Sequence, residues 1–121
     1  RRDFTYIDDV TEALRRVMQK VPCPDPSWNS DRPDVASSSA PFRIYNIGHG
    51  NPVDLLQLVK LLEAKLGREA KINFLPLQPG DVPATYSDNE DLAREIGYRP
   101  QTPIEVGVDR FVQWYRSYYK V

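Results

Sequence analysis

An α/β domain is the fold class this sequence predicts, and three observations predict it. Two short runs rich in β-formers, Phe42–Gly48 and Lys71–Leu77, flank a strongly helical pattern over Leu55–Leu66. Helical patterns also stand near both ends of the chain. Elements alternating in this way describe an α/β domain with few strands and about four helices. At 121 residues there is enough chain for one core and too little for two. Two strands are too few for a stable sheet, so such a sheet needs strands from elsewhere.

The first helix is expected from Asp8 or Asp9, either of which suits an N-cap. Val10, Ala13, Leu14, Val17 and Met18 follow at helical spacing, and Pro22 stops the helix. Residues 22–41 are rich in Pro, Ser and Asp without periodicity, which predicts a mobile surface loop with Trp28 pinning it to the body. A partner-binding role for this loop is the functional alternative. Phe42–Ile47 alternates as a strand does, and Gly48-His49-Gly50-Asn51 reads as a strand-to-helix turn.

The next helix is expected to start with Asn51 as N-cap, Pro52 at the first position and Asp54 in the first turn. Leu55, Leu58, Val59, Leu62 and Leu66 form its apolar face, and Gly67 closes it. Lys60 and Lys65 read as solvated charges. Lys71–Leu77 is a second strand, with Pro76 placing it at an edge or ending it. Ser87 or Asp88 caps a short helix that buries Leu92, Ala93 and Ile96 and ends at Gly97. Thr102-Pro103-Ile104-Glu105 has the form of a capping box with proline at the first helical position. The last helix then turns Ile104, Val108, Phe111, Val112 and Tyr115 inward. Trp114, Tyr115, Tyr118 and Tyr119 read as packing and surface rather than a base-stacking platform.

Composition narrows the function classes. A net charge of −1 with 27% charged residues gives no basic face for nucleic acid. No apolar run approaches the ~20 residues of a membrane helix. Cys23 is the one cysteine and His49 the one histidine, which leaves neither a disulfide framework nor a protein-only zinc site. A cytoplasmic location is the expectation.

Gln78-Pro79-Gly80-Asp81 carries the most chemistry. Pro79 sets φ for the first central position of a β-turn, and Gly80 supplies the positive φ that a type II turn needs next. Asp81 and the Gln78 amide then share a loop tip. A carboxylate there can accept two hydrogen bonds from a vicinal diol such as a ribose, and the amide offers a donor and an acceptor. A solvated turn is the plainer reading.

Four motifs in order carry a resemblance. Arg2-Asp3-Phe4-Thr5-Tyr6-Ile7-Asp8-Asp9, Tyr45-Asn46-Ile47-Gly48, Gln78-Pro79-Gly80-Asp81-Val82 and Thr102-Pro103-Ile104-Glu105 are together similar to the C-terminal part of nucleotide-sugar epimerases. Those belong to the extended short-chain dehydrogenases, a Rossmann-type family, and the pattern most resembles the UDP-glucuronate 4-epimerases. It covers nearly the whole chain apart from the Pro/Ser-rich insertion.

The resemblance implies that residues 1–121 are a UDP-sugar-binding lobe, with strand 42–47 joining the sheet of a nucleotide-binding half that is missing here. Arg2 would hold the diphosphate and Asp81 the uridine ribose. Gln78 would lie beside them, where neighbouring epimerase families often carry an arginine. NAD would be bound by the missing half, because no complete glycine-rich fingerprint occurs in this chain. The family's Tyr-x-x-x-Lys acid/base pair is absent as well: Tyr6 is followed by Val10, and Tyr115, Tyr118 and Tyr119 have no lysine four residues on. No catalytic residue is therefore expected in this chain, and alone it should be inactive. In a complete enzyme the sugar would be oxidised at C4 and reduced on the opposite face, interconverting UDP-glucuronate and UDP-galacturonate.

Alternatives are a dehydratase or decarboxylase on the same fold, or a non-catalytic interaction module. Apolar surface on Phe42–Ile47 and Leu55–Leu66 is expected to drive self-association. Among the other candidates, Asp3 and Asp8 read as acceptors for backbone N–H groups, Tyr6 as core or rim, Asn46 as a turn tie and His49 as an exposed loop residue.

Overall fold

The computed structural model describes residues 1–121. The four helices expected from the periodicity are present: α1 (Ile7–Val17), α2 (Leu55–Leu66), α3 (Glu90–Ile96) and α4 (Ile104–Tyr119). The two expected strands do not form a ladder. Regular β pairing is limited to isolated antiparallel bridges, Arg2 with Val53 and Ser37 with Arg43. A ladder needs a second backbone alongside over several residues. Phe42–Gly48 meets one only at the Ser37–Arg43 bridge, where the Ile44 amide donates to the Ala36 carbonyl at 2.9 Å, and Lys71–Leu77 pairs with none. β-propensity describes a residue's fit to a sheet surface; it does not supply the partner strand.

Helix ends agree with the sequence at their C-termini and differ at their N-termini. Gly67 and Gly97 close α2 and α3 in the left-handed conformation, with φ of 67° and 63°. At the start of α2, Asp54 caps in place of Asn51, its carboxylate accepting the Leu56 amide at 2.8 Å. Pairing of Val53 with Arg2 keeps residues before Asp54 out of the helix. α1 starts after an extended Tyr6 with no side-chain cap, so Asp8 and Asp9 sit in its first turn instead. α3 follows Asn89 without a side-chain cap from that residue, although Asp88 accepts the Glu90 amide at 3.0 Å. α4 has Pro103 at the cap position and no capping box, because the Thr102 amide is bonded to Asp9 instead.

Packing is thin. α2 lies against α4, and α1 against α3. Ala13, Leu92, Val108 and Val112 form the buried apolar core, and α2 buries no residue fully. Leu58 and Leu62 of α2 line an apolar groove of about 360 Å³ with Phe4, Tyr6, Ile104 and Phe111. Of the expected inward positions, Leu14, Met18, Phe111 and Tyr115 remain substantially exposed. The α4 aromatics stack on one another along the helix, Trp114 on Tyr118 with ring centroids 5.5 Å apart. Lys65 is not simply solvated: it pairs with Asp109 of α4 at 2.6 Å. No helix is long and apolar enough to cross a membrane.

The 22–41 stretch has neither helix nor ladder, and much of its bonding is internal. The Asp25 amide donates to the Ser38 carbonyl at 2.8 Å, and the Ser37 hydroxyl to Asp34 at 2.8 Å. Trp28 donates its indole N–H to the Asp34 carbonyl at 3.2 Å, so its hydrogen bond stays within the loop. Arg43 supplies the link to the body, pairing with Asp91 of α3 at 2.7 Å and with Asp34 at 3.7 Å.

Candidate functional site

The start of the chain threads between two segments far away in sequence. Arg2 and Val53 exchange both backbone hydrogen bonds at 2.9 Å. The Arg2 guanidinium turns the other way, with Nη1 donating to the carbonyls of Arg1 and Val82, each at 2.9 Å. Its Nε and Nη2 make no hydrogen bond within the chain, and it forms no ion pair. A guanidinium has five N–H donors in a planar fork, so most of this one's capacity is free for an anion.

The Gln78–Asp81 turn has the geometry its residues demand. The Asp81 amide donates to the Gln78 carbonyl at 3.1 Å, and Gly80 has φ 93°. Gln78 Nε2 folds back to the Pro76 carbonyl at 3.0 Å. The Asp81 carboxylate has no partner in the chain, and residues 78–81 are all exposed. Thus Arg2 reaches Val82, the residue that follows the turn. The side chains of Arg2, Gln78 and Asp81 do not bond to one another.

Asp3 organises the ground beneath them. Its carboxylate accepts the amides of Gly50 at 2.9 Å, Asn51 at 3.3 Å and Ser87 at 2.9 Å. Its own amide donates to the Thr85 hydroxyl at 3.0 Å. The expectation that Asp3 is a backbone acceptor holds; for Asp8 it does not. The Asp8 carboxylate faces Arg110 at 3.7 Å and holds no backbone amide.

Asp9 is a buried acceptor rather than a cap. It takes the Tyr98 hydroxyl at 2.9 Å and the amides of Gln101 and Thr102 at 3.1 and 2.8 Å. Tyr6 lies at the rim, under the Arg110 guanidinium at 5.4 Å and against Gly107.

Asn46 is exposed and ties nothing. The tie at the Tyr45-Asn46-Ile47-Gly48 motif comes from Asn89, whose amide donates to the Gly48 carbonyl and accepts the Ser87 hydroxyl at 2.7 Å. His49 is half-buried, with its backbone amide on the Thr5 hydroxyl at 3.2 Å. Sequence reasoning missed Asn89, Arg43 and Tyr98. Each acts through a partner more than forty residues away, and no local pattern marks it.

The chain's own glycine turn does not fit a dinucleotide. A cradle for a pyrophosphate needs free amides and an open approach over the glycines. Here a Cβ at Gly48 would meet Ser87 Cβ at 2.3 Å, so that space is already filled by protein. The Gly50 amide is already taken by the Asp3 carboxylate, whose charge would repel a phosphate.

Comparison with known proteins places this arrangement. No protein-family model matches the chain. Protein CapI of Staphylococcus aureus is 50% identical over 119 residues, covering 98% of this chain and 36% of that protein. A probable UDP-glucuronate 4-epimerase of Rhizobium meliloti is 41% identical over 120 residues, covering 98% and 35%. Among solved structures, the UDP-glucose 4-epimerase of Thermotoga maritima with UDP-glucose superposes with a TM-score of 0.72 at 26% identity, covering 97% of this chain and 32% of that one. The chain spans about a third of the length of these relatives. Across its 121 residues it is homologous to the C-terminal part of the UDP-glucuronate 4-epimerases and of the related epimerases of the short-chain dehydrogenase/reductase family.

Proposed function

We propose that this chain is the substrate-binding portion of an NAD-dependent nucleotide-sugar 4-epimerase acting on UDP-glucuronate and UDP-galacturonate. In this reading Arg2 holds the diphosphate, Asp81 the ribose hydroxyls, and Gln78 lies beside them. The observation that carries it is the Arg2 Nη1 hydrogen bond to the Val82 carbonyl at 2.9 Å. That contact brings a guanidinium with free donors to the foot of an exposed turn carrying a free carboxylate. The homology to UDP-glucuronate 4-epimerases supports the choice of sugar nucleotide.

The division of labour follows from the chemistry. Inverting one carbon of a sugar requires the ring to present both faces, so the nucleotide must be gripped while the sugar turns. A bidentate arginine and a carboxylate on a diol hold the UDP without touching the sugar. The cofactor belongs to the remainder of a longer protein, since the glycine turn of this chain does not admit it. In the same reading the chain works in the cytoplasm, and its partner is a UDP-sugar rather than a membrane or a nucleic acid.

Calorimetric titration of UDP into the chain and its variants tests the reading. Arg2→Ala removes a charge-assisted contact worth about 1.5–3 kcal/mol, or roughly ten- to a hundredfold in affinity. Asp81→Ala should cost less, because a solvated carboxylate–hydroxyl pair returns part of its energy to water. Unchanged affinity in both variants would make Gln78–Asp81 a plain turn and leave an interaction module.

A further inference from the structure

Resting on that reading of the site, we infer that Asp3 is a positioning residue that sets the Arg2 guanidinium against the Gln78–Asp81 turn. Two adjacent residues grip the two ends of one short strap. Arg2 holds it at Val82, through Nη1 to the carbonyl at 2.9 Å. Asp3 holds it at Ser87, through its carboxylate to the amide at 2.9 Å, and between them the Thr85 hydroxyl accepts the Asp3 amide at 3.0 Å. The turn emerges immediately before this strap, so how the strap lies sets where the Arg2 guanidinium meets the turn.

The same carboxylate is anchored on its other side. Gly50 and Asn51 donate to it, just before Val53 pairs with the Arg2 backbone. Asp3 therefore joins the Gly50–Val53 segment, the Val82–Ser87 strap and the Arg2 backbone at one charged group. Hydrogen bonds to a carboxylate are about twice as strong as neutral ones, and three amides give them fixed directions. Without the Asp3 carboxylate the strap keeps its Val82 end on the guanidinium and its middle on Arg1, whose backbone nitrogen donates to the Pro83 carbonyl at 2.8 Å and whose carbonyl accepts the Thr85 amide at 3.3 Å. It loses the anchor of its Ser87 amide. Asp3 makes no contact with the ligand in this scheme. It acts through Arg2.

Calorimetry with UDP as the probe decides this, on the unsubstituted chain, Asp3→Asn, Arg2→Ala and the double variant. Asn keeps one acceptor oxygen but turns an N–H₂ toward amide donors, so it breaks the junction at nearly constant volume. Expected is a loss of about tenfold or more for Asp3→Asn. The double variant should bind no more weakly than Arg2→Ala, because residues acting through one another are not additive.

Weakened binding in Arg2→Ala with normal binding in Asp3→Asn would overturn this inference and leave the proposed site standing. Losses that multiply in the double variant would also overturn it. No UDP binding by the unsubstituted chain, or none lost in Arg2→Ala, would overturn both together. If Asp3→Asn does not fold, amide hydrogen exchange on the unsubstituted chain replaces it. Linkage requires that UDP, if it binds the Asp3-held arrangement better, slow exchange at Gly50 and Ser87. Unchanged exchange at saturating UDP would sink the idea.

Discussion

The Tyr98 hydroxyl donates to the Asp9 carboxylate at 2.9 Å, joining the first turn of α1 to the segment that leads from α3 into α4. Gln101 and Thr102 add their amides to the same carboxylate. The Arg16 guanidinium lies over the Tyr98 ring, 4.7 Å from its centroid. One buried charge thus fixes where α4 begins. Removing it leaves two amides without their acceptor, at a cost of about 1–3 kcal/mol each if they stay dry.

This pair gives the chain a pH signature. Burial opposes the Asp9 charge, but the hydrogen bonds from Thr102, Tyr98 and Gln101 prevail and hold its carboxyl below the ordinary 3.8. Its stabilisation is complete above that value and drains as pH falls through the lowered folded pKa. For Tyr98, burial first and Asp9 second push the phenol from 10.0 up to about 12. That contribution is complete below pH 10 and is lost as pH rises through about 12. Urea unfolding across pH should show both losses in the native sequence. Tyr98→Phe should be less stable by about 1 kcal/mol at neutral pH and should lack the tyrosine's alkaline loss. An alkaline profile identical in both would refute the pairing.

A second prediction concerns Gly48, which sits where three held groups meet. Alanine there would bring Cβ within 2.3 Å of Ser87 Cβ and 2.6 Å of its Oγ. Ser87 cannot retreat freely, because its amide is bonded to Asp3 and its hydroxyl to Asn89. Overpacking of this kind costs about 1–3 kcal/mol. Gly80→Ala meets nothing within 4 Å and carries only the penalty of its φ of 93°, about 1–2 kcal/mol. Thermal unfolding should therefore place Gly48→Ala at or below Gly80→Ala. The reverse order would mean that the strap adjusts.

What the sequence made legible follows the range of each interaction. Gly67, Gly97 and the Pro79-Gly80 turn were readable because glycine's φ freedom and proline's fixed φ act within a few residues. Asn51, Thr102 and Asp9 misled as caps because each belongs to a stretch claimed by a distant partner: Val53 by Arg2, and the Thr102 amide by Asp9. The strands Phe42–Gly48 and Lys71–Leu77 were legible as preference only, since pairing is a property of two segments. Within the site, the turn could be read from its residues. Arg2 could be read only through resemblance, because nothing near Arg2 in sequence announces Val82.

The third prediction is that the chain alone does not epimerise. No Tyr-x-x-x-Lys pair occurs in it, and its glycine turn is filled by Ser87 and Asp3. Incubation with UDP-glucuronate and NAD, followed by chromatography, should yield no UDP-galacturonate. Turnover would require an acid/base and a cofactor site that this geometry does not offer.

The last prediction is self-association, and the structure adds a further seat to the expected one, where Phe42, Ile44 and Leu55 are indeed exposed. The sequence pointed to Phe42–Ile47 and the α2 face. A run of strongly exposed apolar side chains also lies on the unpaired segment before the turn, where Phe74 is 77%, Leu75 72% and Leu77 68% exposed. α4 adds Phe111, Trp114 and Tyr118, all more than half exposed. Scattered apolar side chains are ordinary on a surface, but an unpaired β-forming segment carrying several exposed large apolar residues is not. Its free backbone groups and side chains can pair with a second copy. Burying one such side chain contributes about 1.5–3 kcal/mol, so Phe74→Lys should weaken association by about tenfold or more. Sedimentation velocity at several concentrations should show mass rising with concentration for the native sequence and less so for Phe74→Lys. A monomer at every concentration would refute association, and equal association in Phe74→Lys would move its seat to α4.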